Sequence, residues 1–374
     1  MQIIKRQEKV GNILFSLAIL LELLIMMTDQ VGYTLPLRGR IAQLAFVLFG
    51  CKILTTRYSM KQWVVIAIIG ILGCISYLTC REEYVLRAAV MVLSAKDIDV
   101  KRVLKLILYT MAGVTLTMMI LSLTGIHGEL IDVRHFGRGG VESRWKFGFS
   151  HPNNIHDNLW YMTACYLLIR GRKADWKDYA VITAMNVGLF ILTVSRNGFL
   201  ATQILVCACA FFRYLPKTEK QLWPYITGLI DLVACLFLTV KAGTLCSAYD
   251  PFYSRIDRLL TGRMEMVWEF APVSSWTWFP GSRSLSYVDN GFAAVFYSYG
   301  IVIGMGYLMV MLYLFYRVYR EQNGVKLAVL VTTIFVTFME STYVLNVSLL
   351  YNLILILLFN AWYMGKEESP KPVI

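Results

Sequence analysis

The sequence predicts an all-α polytopic membrane protein, and three observations carry that expectation. Of the 374 residues, 57% are hydrophobic and only 16% charged, and the mean hydropathy of +0.57 lies far above the soluble average. Apolar runs close to the ~20 residues needed to cross a hydrocarbon core recur along the whole length. The stretches between them are too short for a soluble domain of ordinary size, so 1–374 reads as a single integral membrane domain.

The first apolar run, 11–27, follows a basic segment with Lys5, Arg6 and Lys9, in the manner of a signal sequence. Met26, Met27, Thr28 and Asp29 offer no small-x-small cleavage site, so the run reads as a retained first span. Further spans are expected over 39–54, 63–79, 103–124, 155–169, 179–194, 198–212, 223–240, 291–316, 327–338 and 344–364. A short apolar run over 84–95 carries Arg87; counting it gives about 12 transmembrane helices, with both termini on one side.

Basic residues accumulate in the connections on the side of the termini, which the positive-inside rule makes cytoplasmic. The formal net charge of +12 then needs no nucleic-acid partner. Lysine dominates the expected inner side and arginine the expected outer side. Membrane orientation alone does not predict that split. Guanidinium forks hold phosphate bidentately, where an ammonium is a mobile point charge; the outer arginines either do this or pair with loop acids such as Glu142, Asp257 and Glu265.

Two long extracytoplasmic loops are expected, at about 125–154 and 243–290, and function belongs there. In the second, Ile256, Leu259, Leu260, Met264, Val267 and Trp268 recur at helical spacing until Pro272. They predict an amphipathic helix, lying on the membrane surface with Arg255, Arg258 and Arg263 at headgroup level or packed over the bundle. The eight cysteines show no metal-ligand spacing, and no metal or cofactor is expected. Three charges, Glu22, Arg87 and Asp231, fall inside spans, where they either pair within the bundle or mark an ion path.

All four histidines (His127, His135, His151, His156) lie within or just before the polar run 147–158, which opens the span at 155. On the assigned orientation, the spans near 155, 198 and 291 enter from outside. Each is preceded by capping residues: Ser150 to Asn154 with Pro152, then Ser195 to Asn197, then Asp289 with Asn290. Helix N-termini carry unpaired N–H groups and the positive end of the dipole, so entrances that converge would bind an anion. Arg196 sits at a tight turn between two apolar spans, where a charge costs up to ~3 kcal/mol and needs a partner, a lipid headgroup or a task. No Walker loop, dinucleotide fingerprint, H-E-x-x-H or nucleophile elbow is present.

Three ordered segments resemble the O-antigen ligase and polymerase superfamily, the Wzy-type bacterial polysaccharide polymerases and related ligases. Gly148-Phe-Ser-His-Pro-Asn-Asn154 is similar to the family's G-x-x-x-P-N entrance, and Thr193-Val-Ser-Arg-Asn-Gly-Phe-Leu200 to its S-R-G-x-x-L signature. The stretch from Arg263 to Gly304, with Asp289-Asn-Gly-Phe292, resembles the one ending in (H/D)-N-x-(Y/F)-L and G-x-x-G. The resemblance covers about 148–304. It implies a metal-independent glycosyltransferase with a GT-C-like fold on the outer face of the bacterial cytoplasmic membrane. Donor and acceptor would be polyprenyl-diphosphate-linked oligosaccharides in the bilayer, with a flippase and a chain-length regulator as partners.

On that resemblance the catalytic residues are Asp289 as base, Arg196 on the diphosphate and His151 as the second choice of base. Arg263, Arg138 and Arg144 would assist on the diphosphate, and Asn153, Asn154, Asn290 and Arg258 complete the expected binding set. Ligases of the family carry histidine where this chain has Asp289, a departure that favours polymerase. Ligase-type transfer to another acceptor stays open as an alternative, and a flippase or transporter would show repeated halves that this sequence lacks.

Overall fold

The computed structural model describes residues 2–135, 140–245, 250–281, 288–341 and 360. They are mostly helical. In chain order they form α1 (Gln2–Gln30), α2 (Arg38–Thr55), α3 (Met60–Cys80), α4 (Tyr84–Leu93) and α5 (Val100–Leu123), then the strands β1 (Ile131–His135) and β2 (Val141–Trp145). α6 (Pro152–Arg170), α7 (Trp176–Thr193), α8 (Arg196–Tyr214) and α9 (Trp223–Thr244) follow, then the short α10 (Pro251–Leu259) and α11 (Arg263–Phe270), and finally α12 (Gly291–Glu321) and α13 (Gly324–Met339).

Every expected span up to 327–338 falls on a helix; 344–364 lies outside the described residues apart from Asn360. Among the described residues five helices are long and apolar enough to cross a membrane: α1 over Gln7–Gln30, α3, α5, α9 and α12. That is the pattern of a multi-pass membrane protein. These five are part of the expected set of about 12. α4 and α13 are apolar but shorter, and α2, α6, α7 and α8 have 18 or 19 residues with more polar side chains.

Local chemistry starts these helices where they start. Ser59 with Gln62 and Asp175 with Asp178 form reciprocal capping boxes on α3 and α7. Asp99, Asp250 and Asn323 cap α5, α10 and α13. On α9, large apolar side chains at Ile226, Ile230, Val233, Phe237 and Val240 are exposed, while Gly228, Leu232, Cys235 and Thr239 are buried. Greasy outside and smaller inside suits a helix whose outer face meets lipid.

The main core joins α1, α2 and α4 to α9 with α12 and α13. α13 packs on α8, α9 and α12, and α6 lies between α5 and α8.

The all-α expectation gains one detail and a second expectation is corrected. The first long loop carries an antiparallel hairpin, with Asp132 opposite Arg144 and Arg134 opposite Glu142. Alternation at period two puts these charges on one face and Val133, Val141 and Ile131 on the other, where they are exposed. The amphipathic helix of the second loop is two helices, because Thr261 and Gly262 both take positive φ (58° and 81°) and break it. α11 packs over α9 through Met264 and Val267, whereas Leu259 on α10 is 80% exposed.

α12 is also broken. Gly300 has φ 87° and ψ 170°, and the carbonyl of Thr277 takes the N–H of Ile301 at 2.9 Å. A methyl group at Gly300 would lie 2.4 Å from the Trp278 carbonyl oxygen, so the second loop is seated in the break.

Candidate functional site

The polar run at the start of α6 spends most of its groups on structure. Ser150 Oγ and Asn154 Nδ2 both donate to the Gln30 carbonyl, at 2.9 and 3.1 Å, and Asn158 Nδ2 donates to the Gln30 side chain. These bonds tie α6 to the end of α1. His151 caps α6, its Nδ1 accepting the Asn153 N–H at 3.1 Å, and Pro152 occupies the first turn. Gly148 (φ 80°) lets the chain cross closely: a methyl group on Gly128 would lie 2.7 Å from the Gly148 Cα.

The α8 entrance is held from beneath. His156, fully buried, bonds Thr193 Oγ1 at 3.2 Å and Asn186 Oδ1 at 2.7 Å. Thr193 Oγ1 in turn accepts the Ser195 N–H, so the Ser195 hydroxyl makes no cap bond here. Gly198 lets α8 approach: a methyl group there would stand 2.7 Å from the His156 Cβ. Arg196 thus emerges from a fixed turn.

At the third entrance Asn290 caps α12 by accepting the Ala293 N–H at 3.0 Å, and its amide donates to Thr239 Oγ1. Asp289 precedes it, its side chain 43% exposed.

These entrances meet around one cavity of about 630 Å³. Arg144, His151, Asn153, Arg196, Arg263 and Asp289 all line it, so six of the ten expected site residues come together. The hairpin contributes Arg134 and His135 beside Arg144. Three expected residues do not line it. Asn290 is buried as a cap, Asn154 is turned to Gln30, and Arg258 is exposed on α10 with its Nε donating to the Ser254 carbonyl. Arg138 lies outside the described residues.

The four arginines differ in what they have left to offer. Arg134 pairs with Asp132 at 2.9 Å, and Arg144, buried, is held by Glu142. Arg263 donates from Nε to the Met339 carbonyl at 2.7 Å, from Nη1 to the Leu260 carbonyl and Thr261 Oγ1, and from Nη2 to Glu340 at 3.2 Å. Its Nη2 lies 3.7 Å from Asp289 Oδ2. Arg263 is therefore a fastened part of the wall. Arg196 alone of the four makes no hydrogen bond or ion pair among the described residues, and its donors are free for a ligand.

The acid–base groups separate as well. Asp289 opens to water on one side, but the surrounding protein and the negative charge of Glu340 push its carboxyl up to about 7, against the pull of Arg263. His151 moves the other way, down to about 4, through burial and the positive charge of Arg134. It is neutral at neutral pH. With Nδ1 accepting from the helix, its proton sits on Nε2, which makes the ring a donor rather than a base.

Glu340 is the residue that sequence reasoning missed. It ends α13, is buried, and its Oε1 accepts from Asn153 at 3.2 Å, Asn197 at 3.0 Å and Arg263 at 3.2 Å. The available signal was a carboxylate two residues after the apolar run 327–338. Among the described residues no group of three or more His, Cys, Asp or Glu is placed to hold a metal.

No known family, no curated protein and no solved structure matches the chain.

Proposed function

We propose that this protein is a glycosyltransferase that polymerises lipid-linked oligosaccharide repeats, with a polyprenyl diphosphate as leaving group. The observation that carries the reading is the pairing, on one cavity wall, of the uncommitted guanidinium of Arg196 with the raised carboxyl of Asp289. A diphosphate ester needs fixed donors where charge develops as it leaves. An acceptor hydroxyl needs a base whose pKa lies near the working pH.

In this mechanism the acceptor oxygen attacks the anomeric carbon of the donor sugar and the bond from that carbon to the diphosphate oxygen breaks. Asp289 takes the hydroxyl proton, and the departing diphosphate carries its electron pair to Arg196. Such a base contributes about 10²- to 10⁴-fold. His151 Nε2–H and the Asn153 side chain add neutral donors, and Arg263 holds the Asp289 carboxylate in place. A cavity of about 630 Å³ falls in the ~300–1,000 Å³ range of small-molecule sites, room for the sugars flanking the reacting bond.

The reading takes the bundle as a GT-C-like set of about 12 spans, with the cavity on the outer face of a bacterial cytoplasmic membrane and both termini inside. Asp289, where the resembling ligases carry histidine, favours a polymerase over a ligase. The test is to express Arg196→Ala and Asp289→Asn at wild-type level in the membrane and size the surface glycan. Each substitution is expected to reduce chain elongation by about 10²-fold or more. Undiminished long polymer from both would overturn the assignment.

A further inference from the structure

Glu340 has a place in the site that no motif assigns. Its Oε1 accepts hydrogen bonds from three separate elements: Asn153 in the first turn of α6, Asn197 in the first turn of α8 and Arg263 at the start of α11. One oxygen thus gathers three helix entrances. The same Arg263 nitrogen that donates to Glu340 at 3.2 Å lies 3.7 Å from Asp289, so the two carboxylates bracket one cation.

We propose that Glu340 is a positioning residue, which closes the entrances of α6, α8 and α11 onto one cavity and, across Arg263, holds Asp289 in the register and charge environment that proton transfer needs. Its catalytic meaning rests on the glycosyltransferase reading; its geometric role does not. Asp289 shares its cavity with Arg134, His135 and Arg144 on the hairpin, His151 at the entrance of α6, Arg196 on α8 and Arg263 on α11. Arg134 and Arg144 are paired with Asp132 and Glu142, so the charge that Glu340 opposes from the end of α13 is that of Arg263, which it shares with Asp289. The negative charge of Glu340 across the shared guanidinium favours the protonated form of Asp289. Without Glu340 the charge of Arg263 acts on Asp289 alone, and the carboxylate becomes a weaker base.

The experiment compares the full-length wild type with Glu340→Gln, Glu340→Asp and Asp289→Asn in lipid nanodiscs. Glu340→Gln keeps the accepting oxygen and drops the charge. Infrared titration of the protonated-carboxyl band, assigned by its loss in Asp289→Asn, needs no glycan substrate. The midpoint of Asp289 is expected to fall by about one pH unit in Glu340→Gln and to stay near wild type in Glu340→Asp. With a lipid-diphosphate oligosaccharide added, the acid limb of the elongation rate is expected to move down with that midpoint. kcat should fall more than KM rises, and Glu340→Asp should recover part of the rate.

An unchanged midpoint together with an unchanged rate in Glu340→Gln overturns the proposal and leaves the glycosyltransferase reading standing. A shifted midpoint with no elongation by wild type upholds the positioning role and sinks the activity instead. A purely structural role would lower folded yield in Glu340→Gln without moving the midpoint, and that result also overturns the proposal.

Discussion

At the scale of the residue, the site is defined by which groups are already spent. Arg144 and Arg263 are locked by Glu142 and Glu340, which leaves the guanidinium of Arg196 as the one the proposed diphosphate would meet. Asp289 sets the pH response. Burial and Glu340 raise its carboxyl to about 7, and a base works only when deprotonated. On the proposed glycosyltransferase reading, the elongation rate should climb about tenfold per pH unit below that value and level off above it. A rate–pH profile on wild-type protein checks this, and a flat profile between pH 5 and 8 excludes Asp289 as the base. Arg196 and Asp289 are legible in the sequence because each stands beside an apolar run, where a charge is conspicuous. Glu340 stands in the same kind of place, yet its partners are not local: Asn153 is 187 residues away in the chain and Asn197 is 143 away. No periodicity reports a hub made of three distant entrances.

Helices follow from hydropathy and capping, whereas breaks and strands do not. α10 and α11 share an apolar stripe that reads as continuous, and only the backbone of Thr261 and Gly262 separates them. The hairpin alternates at period two for five residues per strand, too brief to stand out in a chain this apolar. The break in α12 likewise escapes a composition-based reading, since Gly is common in membrane helices. It yields a prediction. Gly300→Ala places a methyl group 2.4 Å from the Trp278 carbonyl oxygen and forces a positive φ on alanine, which should cost about 1–3 kcal/mol. Gly306→Ala, on the same helix with nothing within 4 Å, is the control and should be neutral. Thermal unfolding in detergent distinguishes them; equal melting of both variants and wild type would show that the loop is not seated in the break.

For the molecule as a whole, stability and function draw on different charges. Glu22 on α1 and Arg87 on α4, buried at 4% and 5% exposure, pair at 2.8 Å far along the chain from the cavity residues. Removing one partner strands the other. Arg87→Met should destabilise by about 3–5 kcal/mol, and Glu22→Leu with Arg87→Met together should recover most of it. Melting temperatures in one detergent check the pair, and a double variant no better than the single would mean that the two do not balance each other. The lone acid Asp231 on α9 has no such partner among the described residues beyond the Cys235 thiol.

Position along the chain adds a consequence for biogenesis. Asn153, Asn197, Arg263 and Asp289 are all made before Glu340, which arrives only when α13 is complete. As the chain leaves the ribosome, the entrances and their positive charges exist first, without the acid that draws them together. Until α13 docks, the entrances of α6, α8 and α11 therefore lack the carboxylate that gathers them.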